Sequence, residues 1–527
     1  MSTPQRVVVI GGGIAGLATA ALLAADGHSV TLFEARDSLG GRAGSWEHNG
    51  FRFDTGPSWY LMPEVFDHFF RLLGTTAEEQ LALVRLDPAY RVYTEGDPEP
   101  LDIRSGVEPA TELFENIEPG AGAALREYLA SAQDAYDLAV TRFLYDSYAS
   151  TKGLRDPALL RRLPQLLPLL TRPLHRHIES RFADPRLRQV LGYPAVFLGG
   201  SPFDVPSLYH LMSHLDLGDS VAYPMGGFTT IIEAIARLAR DRGVTIHTGT
   251  PVVSIETAGA RAVGVRVQDA AGSAHSTRFV PADLVVGAGD LHHLETELLP
   301  PERQTYPESW WKKRTPSPGA LLLLLGVEGE LPRLAHHTLV FTKDWRGNFD
   351  AIFGDQPYVP DPASLYVCRP SATDPSVAPA GHENLFVLVP MPADVALGQG
   401  GVDGAGDPRI EAAADAVIAQ IATWTGVPDL AERIVVRRTI APADFAADLH
   451  TWRGNSLGLS HTLLQSAVFR PKNASRKVEG LLYAGADVLP GIGLPMCLIS
   501  AELVLKRVRG DDGAGRLTEP VPVAVED

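Results

Sequence analysis

Residues 6–42 are RVVVIGGGIAGLATAALLAADGHSVTLFEARDSLGGR, and this stretch decides the fold. Arg6–Ile10 is a short β-branched run typical of a buried parallel strand. Three glycines follow with the spacing G-x-G-x-x-G, and Ala15–Ala25 is rich in alanine and leucine, which favours a helix. Gly27 ends that helix, and Ser29–Phe33 has the composition of a second strand. The order strand, glycine turn, helix, strand predicts one βαβ unit.

The three glycines and the acid after the second strand have the chemistry of a dinucleotide site. Gly11 permits the tight turn, Gly13 lets a pyrophosphate approach the backbone, and Gly16 allows the helix to pack close to the strand. The helix N-terminus offers free amides to phosphate oxygens. Glu34 lies 18 residues after Gly16, where a carboxylate accepts hydrogen bonds from ribose hydroxyls. This motif alone does not separate NAD from FAD.

Gly40-Gly41-Arg42 follows the second strand and helps to distinguish FAD from NAD as the cofactor. Arginine suits phosphate oxygens because its planar fork gives paired hydrogen bonds. From this point the chain resembles the amine-oxidase-like FAD flavoproteins, whose signature runs from the βαβ unit into such a GGR. The resemblance implies FAD as the cofactor.

Two further elements narrow the resemblance to the carotenoid desaturase branch of that group, of the bacterial phytoene desaturase type. Phe53-Asp54-Thr55-Gly56-Pro57 resembles an F-D-x-G-P element. Tyr223-Pro224-Met225-Gly226-Gly227 is similar to an aromatic-Pro-x-Gly-Gly turn. Near the other end of the chain, Gly485-Ala486-Asp487 and the segment 491–495 resemble the motif at the isoalloxazine end of FAD in these proteins.

The resemblance implies an α/β fold in which a Rossmann-type FAD-binding domain is interleaved with an α+β substrate domain. The latter would contain a mostly antiparallel sheet and a helical lid. We expect residues 1–85, 220–300 and 440–509 in the first domain and residues 86–219 and 301–439 in the second. Residues 510–527 are acidic and rich in Gly and Pro, which predicts a disordered tail.

The resemblance also assigns cofactor-binding positions. Asp487 matches the acid that binds the ribityl chain, Val252 matches a backbone contact to adenine, and the helix after Pro495 would point its positive end at the flavin. The implied FAD-binding residues are Gly11, Gly13, Ile14, Ala15, Gly16, Glu34, Ala35, Gly41, Arg42, Val252, Asp487, Gly493 and Leu494.

Composition excludes several other classes of function. The chain has 527 residues, 45% of them hydrophobic, and a formal net charge of −17, which argues against nucleic acid as a partner. Its two cysteines, Cys368 and Cys497, lie far apart without metal spacing, so we expect no metal site and a reducing, cytoplasmic location. We find no leader pattern and no run of about 20 apolar residues.

Residues 154–174 combine leucines at helical spacing with a local excess of arginine. Such a helix either lies in a membrane interface or packs its leucines on the protein's own core. A lipid-borne substrate would favour peripheral docking on the cytoplasmic membrane. Asp156 and Arg161 lie in this stretch and are the candidate catalytic side chains, although a solvated ion pair is the simpler explanation of both.

We expect FAD-dependent desaturation of a long isoprenoid hydrocarbon such as phytoene toward lycopene, in carotenoid biosynthesis. The flavin would carry the hydride, and oxygen or a quinone would accept the electrons, since no second nucleotide motif occurs. Three alternatives stay open: a carotenoid isomerase, an amine or protoporphyrinogen oxidase-like flavoenzyme, and a non-catalytic, FAD-stabilised protein that delivers lipid.

Overall fold

The N-terminal βαβ unit forms where the sequence indicates, with strands Arg6–Ile10 and Ser29–Phe33 on either side of helix Ile14–Ala25. These bounds come from a computed structural model, which describes residues 4–149, 157–268 and 276–521. The amide of Gly11 donates to the carbonyl oxygen of Phe33 at 2.8 Å, so the glycine turn is joined directly to the end of the second strand.

The strands of the described residues are numbered in chain order: β1 Arg6–Ile10, β2 Ser29–Phe33, β3 Ser45–His48, β4 Phe51–Asp54, β5 Leu83–Arg85, β6 Tyr90–Thr94, β7 Leu101–Ile103, β8 Ala222–Pro224, β9 Thr245–His247, β10 Val252–Ala258, β11 Arg261–Gln268, β12 Thr277–Pro281, β13 Leu284–Gly287, β14 Gly319–Glu328, β15 His337–Phe341, β16 Leu365–Cys368, β17 His382–Met391, β18 Ile434–Ile440 and β19 Leu481–Tyr483. The α-helices are α1 Ile14–Ala25, α2 Pro63–Leu72, α3 Ala77–Gln80, α4 Val107–Ile117, α5 Ala121–Arg142, α6 Pro157–Thr171, α7 Leu174–Glu179, α8 Pro185–Gly192, α9 Thr229–Asp241, α10 Leu291–Thr296, α11 Glu308–Trp311, α12 Trp345–Phe353, α13 Pro408–Thr425, α14 Pro442–Leu449 and α15 Leu494–Arg509.

A five-stranded parallel sheet has the strand order β19-β13-β1-β2-β9. Helix α1 contacts both α9 and α15, and the three helices share a core on one of its faces. The three-stranded sheet β10-β11-β12 shares a core with the other face, where Val8 and Ile10 meet Ile255 and Val265. Burial on both faces explains why β1 and β13 are continuous apolar runs.

A seven-stranded sheet, β18-β14-β17-β16-β15-β6-β7, forms the second centre of the fold. Its neighbours pair antiparallel except β15 and β6, which are parallel. In β14, Leu321, Leu323 and Leu325 share a core with α13, whereas Leu322 and Leu324 point to the opposite face. The five leucines therefore form a strand buried on both sides.

The strands of the parallel sheet and of β10–β12 fall in segments 1–85, 220–300 and 440–509, and those of the seven-stranded sheet fall between 86 and 440. On that basis we propose the division into a discontinuous cofactor domain and an interleaved substrate domain. Helices α4–α8 supply the predicted helical part, and α5 and α6 line the cavity described below.

The prediction of a disordered tail over residues 510–527 is wrong for residues 510–521. Val521 is buried, and its amide donates to the carbonyl oxygen of Leu72 at 2.9 Å. The amide of Leu517 donates to Glu502 at 2.6 Å, and Glu519 bonds His68. Apolar side chains and one buried imidazole hold this segment on α2 and α15, and its composition does not show that. Residues 522–527 lie outside the described residues.

Candidate cofactor and substrate site

One cavity of about 780 Å³ joins the carboxyl ends of β1, β13 and β19 to the free face of the seven-stranded sheet. Its volume lies within the range of about 300–1,000 Å³ usual for ligand sites. Twelve of the thirteen predicted cofactor-binding residues line it. The exception is Gly16, where a Cβ would collide with the carbonyl oxygen of Gly11, so this glycine serves close packing instead.

The N-terminal glycine turn exposes its backbone to the cavity. Gly11 has φ +105°, and a Cβ there would lie 3.2 Å from the backbone of Ala288 and Gly289. Gly13 has φ −72°, and a Cβ at this position would have only one neighbour, the carbonyl oxygen of Gly40 at 3.9 Å. The open side of Gly13 faces the start of α1, which suits close approach of a phosphate to free amides.

Glu34 follows β2 and is buried. Its Oε2 accepts a hydrogen bond from the amide of Gly12 at 2.6 Å, and its Oε1 accepts one from the amide of Arg36 at 2.9 Å. The carboxylate therefore holds the glycine turn itself, in addition to lining the cavity where the ribose role is predicted.

The segment 40–42 returns to the first turn, as expected. The amide of Gly40 donates to the carbonyl oxygen of Gly12 at 2.9 Å. Nε and Nη2 of Arg42 are buried without a hydrogen-bond partner, and the nearest carboxylate oxygen, Oδ2 of Asp290, lies 3.8 Å from Nη2. A half-buried guanidinium with two unpaired donors beside the glycine turn fits the pyrophosphate of FAD.

Asp290 is a site residue that sequence reasoning missed. Its carboxylate accepts hydrogen bonds from the amides of His292, His293 and Trp452 at 3.0–3.3 Å. Burial, together with the negative charge of Asp487, raises the pKa of Asp290 to about 7, although Arg42 opposes the shift. The sequence signal that could have identified Asp290 as a site residue is its position directly after the Gly turn that ends β13.

Asp487 lies in the C-terminal turn and bridges three segments. Its carboxylate accepts hydrogen bonds from the amide of Leu459 at 3.0 Å and from that of Leu291 at 3.3 Å. Gly485 and Gly493 have φ +126° and +118°, and α15 begins at Leu494. The N-terminus of α15 and both glycine turns thus border one cavity, which is the arrangement that one FAD needs.

Two further side chains fix the C-terminal turn and carried no signal in the sequence. Arg470 is buried and donates to the carbonyl oxygens of Ala486, Val488, Leu459 and Gln465. Nε2 of His461 accepts the amide of Ile492 at 3.2 Å, and its Nδ1 is hydrogen-bonded to Tyr209 at 2.8 Å. Burial holds the pKa of His461 well below its ordinary value, so this ring is neutral.

Val252 lies where the resemblance implies. The amide of Thr250 donates to the carbonyl oxygen of Glu34 at 2.8 Å, which brings the start of β10 beside the end of β2. Val252 is buried and lines the cavity. The backbone contact to adenine stays a prediction.

The rest of the cavity has an apolar wall. Side chains from the seven-stranded sheet, the 3₁₀ turn 193–198 and α5 and α6 line it; among them are Leu322, Leu388, Phe341, Phe197, Leu138, Leu166 and Leu170. Trp59 lies among the aromatic rings of Tyr90, Tyr193, Phe197, His337 and Tyr366. This wall suits a long hydrocarbon.

The candidate catalytic pair from the sequence is not placed by the structure. Asp156 lies outside the described residues, as does Arg155, and the side chain of Arg161 is not described either. The neighbouring Arg162 pairs with Asp134 of α5 at 3.0 Å. Part of the local positive charge of α6 is therefore balanced across the helix pair.

Among the described residues, His336, His337 and Cys368 form the one group whose ligand atoms are close enough for a metal ion, all within 4.8 Å of one another. All three are buried. Burial lowers the pKa of both imidazoles and raises that of the Cys368 thiol to about 12. The thiol therefore keeps its proton, and the three groups pack as neutral side chains beneath Trp59.

Comparisons with known proteins agree with this geometry. Residues 14–508 match the family model described as flavin containing amine oxidoreductase. The chain is 42% identical to the carotenoid 3,4-desaturase of Haloarcula japonica over 94% of its length and 97% of that protein. It is 36% identical to the zeta-carotene-forming phytoene desaturase of Myxococcus xanthus, over 96% and 94% respectively.

Solved structures show the same fold. Cyclohexylamine oxidase from Brevibacterium oxydans superimposes with a TM-score of 0.56 at 15% identity, over 96% of this chain and 99% of that one. The PF1083 protein of Pyrococcus furiosus gives a TM-score of 0.58 at 16% identity, over 98% and 100%. The α/β fold with a cofactor domain and a substrate domain is thereby confirmed.

Proposed function

The chain belongs to the flavin-containing amine oxidoreductase family, in its carotenoid desaturase branch, and from this premise we propose that it desaturates a long isoprenoid hydrocarbon. It is an FAD-dependent oxidoreductase. Phytoene is the first substrate to test, because leucines and aromatic rings make up most of the wall beyond the cofactor half. The 42% identity to a carotenoid 3,4-desaturase favours a carotenoid as the second substrate to test.

The observation that carries this proposal is the continuity of the cavity. Its cofactor half presents glycine backbone, Arg42 and Asp487, and its other half is lined by leucines and aromatic rings. A hydrocarbon gains about 0.8 kcal/mol per buried CH₂ group, so burial alone supplies binding energy.

The protein's residues bind and orient, and the cofactor supplies the redox chemistry. Bound FAD would supply the two-electron chemistry of hydride acceptance. Gly13, Glu34 and Arg42 would hold its adenosine and pyrophosphate, and Asp487 its ribityl chain. The amides that begin α15 would stabilise negative charge on the ring. Trp59 and its aromatic neighbours exclude water from the reacting carbons.

The mouth of the cavity supports docking on a membrane. Leu463 and Phe469 line the cavity and are 40% and 58% exposed, and Leu464 beside them is 64% exposed. Leu167 of α6, 59% exposed, follows Leu166 of the lining. Within the described residues, no helix has the length and hydropathy to cross a bilayer. We place the protein peripherally on the cytoplasmic face of the cytoplasmic membrane, where a quinone or oxygen takes the electrons.

Expression in a phytoene-accumulating bacterium tests the function, because each added conjugated double bond moves pigment absorption to longer wavelength. Product mass then separates the alternatives. A desaturase product is two hydrogens lighter per step, whereas an isomerase product has unchanged mass. A lipid-delivery protein would leave the hydrocarbon unaltered, and an amine or protoporphyrinogen oxidase would oxidise its own substrate but not phytoene.

A further inference from the structure

We propose that Tyr193 and Asp216 take up the proton that desaturation removes from the carbon adjacent to the hydride donor. Tyr193 would be the catalytic residue that meets the substrate, and Asp216 the positioning residue that receives the proton behind it. The inference rests on the proposed function, which requires a proton acceptor that the sequence does not identify.

Asp216 is a buried carboxylate held by two phenols. Its Oδ1 accepts a hydrogen bond from Oη of Tyr193 at 2.8 Å, and its Oδ2 accepts one from Oη of Tyr90 at 2.8 Å. The residue lies in a π-helical turn, His214–Gly218, and π turns occur frequently at functional sites. Burying a carboxylate is costly in free energy unless it is paired and hydrogen-bonded, and Asp216 has these two phenols as its hydrogen-bond donors.

Tyr193 connects this carboxylate to the cavity. It lines the cavity wall, whereas Asp216 and Tyr90 lie behind it. Its ring centroid is 6.2 Å from that of Trp59, two residues after Pro57. A Cβ at Gly56 would collide with the carbonyl oxygen of Arg42, so this loop packs directly on the cofactor turn. Tyr193 therefore stands on the part of the wall that adjoins the cofactor half.

The protonation states suit a proton acceptor near neutral pH. Burial raises the pKa of Asp216 to about 7, and the hydrogen bonds from Tyr193 and Tyr90 oppose a larger rise. Burial and the charge of Asp216 hold the pKa of Tyr193 well above its ordinary value, so the phenol is neutral. A base whose pKa lies near the working pH is the most effective.

One C–H bond gives up its hydrogen as hydride to the flavin, which takes two electrons. The C–H bond on the adjacent carbon breaks, and its electron pair becomes the second bond of the new double bond. That proton goes to Oη of Tyr193 as the phenol's own proton moves to Oδ1 of Asp216. The carboxyl releases it to water before the next turnover.

Tyr366 carries another hydroxyl group on the wall and is a rival acceptor. Oη of Tyr366 lies 2.8 Å from Oγ of Ser58 and 2.6 Å from Nδ1 of His337. Burial and the neighbouring His336 hold the pKa of His337 well below its ordinary value. That imidazole therefore resists taking a proton, which favours the pair with the carboxylate.

The test compares four variants by the rate of anaerobic flavin bleaching with phytoene in liposomes, measured on either side of pH 7. Tyr193→Phe and Asp216→Asn remove the proposed acceptor. Tyr90→Phe removes one hydrogen bond to the same carboxylate without touching the cavity, and Tyr366→Phe removes the rival. FAD retention and thermal melting show that each variant is folded; if Asp216→Asn does not fold, Tyr193→Phe decides.

In the wild type the bleaching rate should rise with pH through about 7, as Asp216 ionises. Tyr193→Phe and Asp216→Asn should lower the rate about 100-fold or more and remove its rise with pH. Tyr90→Phe and Tyr366→Phe should keep the rise with pH. If Tyr193→Phe keeps the wild-type rate and pH dependence, or if only Tyr366→Phe loses the rise with pH, the inference is overturned and the proposed function stands. If the wild-type flavin is not bleached by any carotenoid, the proposed function fails and the inference with it.

Discussion

A Cβ built at Gly485 would lie 3.8 Å from the Cβ of Ala15, so the C-terminal glycine turn touches the first turn of α1. Helices α1 and α15 continue this contact. Two motifs from opposite ends of the chain thereby form one wall of the cavity. Their meeting is the structural basis for a single FAD held by both.

Two glycine variants separate cofactor binding from folding. Gly13→Ala should leave the melting temperature of the FAD-free protein unchanged, because the Cβ has space and φ is −72°. It should weaken FAD binding at least about tenfold, since the methyl group occupies the path of the pyrophosphate. Gly16→Ala should lower the melting temperature, because its Cβ collides with Gly11. Equal FAD affinity in Gly13→Ala and the wild type would contradict the first role.

Glu34→Arg should abolish retention of FAD. The substitution removes a carboxylate that two backbone amides bond and places a cation beside the turn. Hydrogen bonds to a charged group are worth about 1.5–3 kcal/mol each, so losing both should weaken FAD binding by more than about 100-fold. Glu297→Arg, at an exposed position, serves as the control. A purified Glu34→Arg protein that is fully yellow would exclude the ribose role.

Membrane docking should depend on the exposed apolar residues at the mouth. Leu464→Ser and Phe469→Ser should each reduce co-sedimentation with anionic liposomes about tenfold, because each removes about 1.5 kcal/mol or more of burial. Val435→Ser, 49% exposed on β18, is the matched control. The triple variant Arg155→Glu, Arg161→Glu and Arg162→Glu should also release the protein from anionic liposomes. Unchanged sedimentation of all these variants would show that the membrane does not contact this face.

The attachment of residues 510–521 should depend on pH through His68. Burial lowers the pKa of His68, but hydrogen bonds and charges from Glu502 and Glu519 outweigh burial and raise it. A raised folded-state pKa means that this stabilisation is complete below the unfolded value of about 6.5 and is lost as pH rises above it. The melting temperature of the wild type should therefore fall as pH rises through neutrality. This fall should be smaller in Glu519→Gln and unchanged in the control variant Glu297→Gln.

The sequence allowed the local elements to be predicted better than the contacts between them. The bounds of β1 and β2 were predicted to the residue because glycine or a polar residue ends each apolar run. The parallel pairing of β15 with β6 was not, since it joins segments far apart in the chain. Asp216 was missed because its importance comes from burial and distant partners, which no local spacing encodes. Asp290 was missed although its position directly after a Gly turn was a signal in the sequence.

The most direct test of the account is the stoichiometry of anaerobic flavin reduction. The FAD-loaded wild type, mixed with phytoene in liposomes, should lose its yellow absorbance and form one product two hydrogens lighter per flavin reduced. Asp487→Ala, which should weaken FAD binding, gives the cofactor-depleted control. If the wild type retains FAD but phytoene leaves it oxidised, or yields only a product of unchanged mass, the desaturase assignment is contradicted.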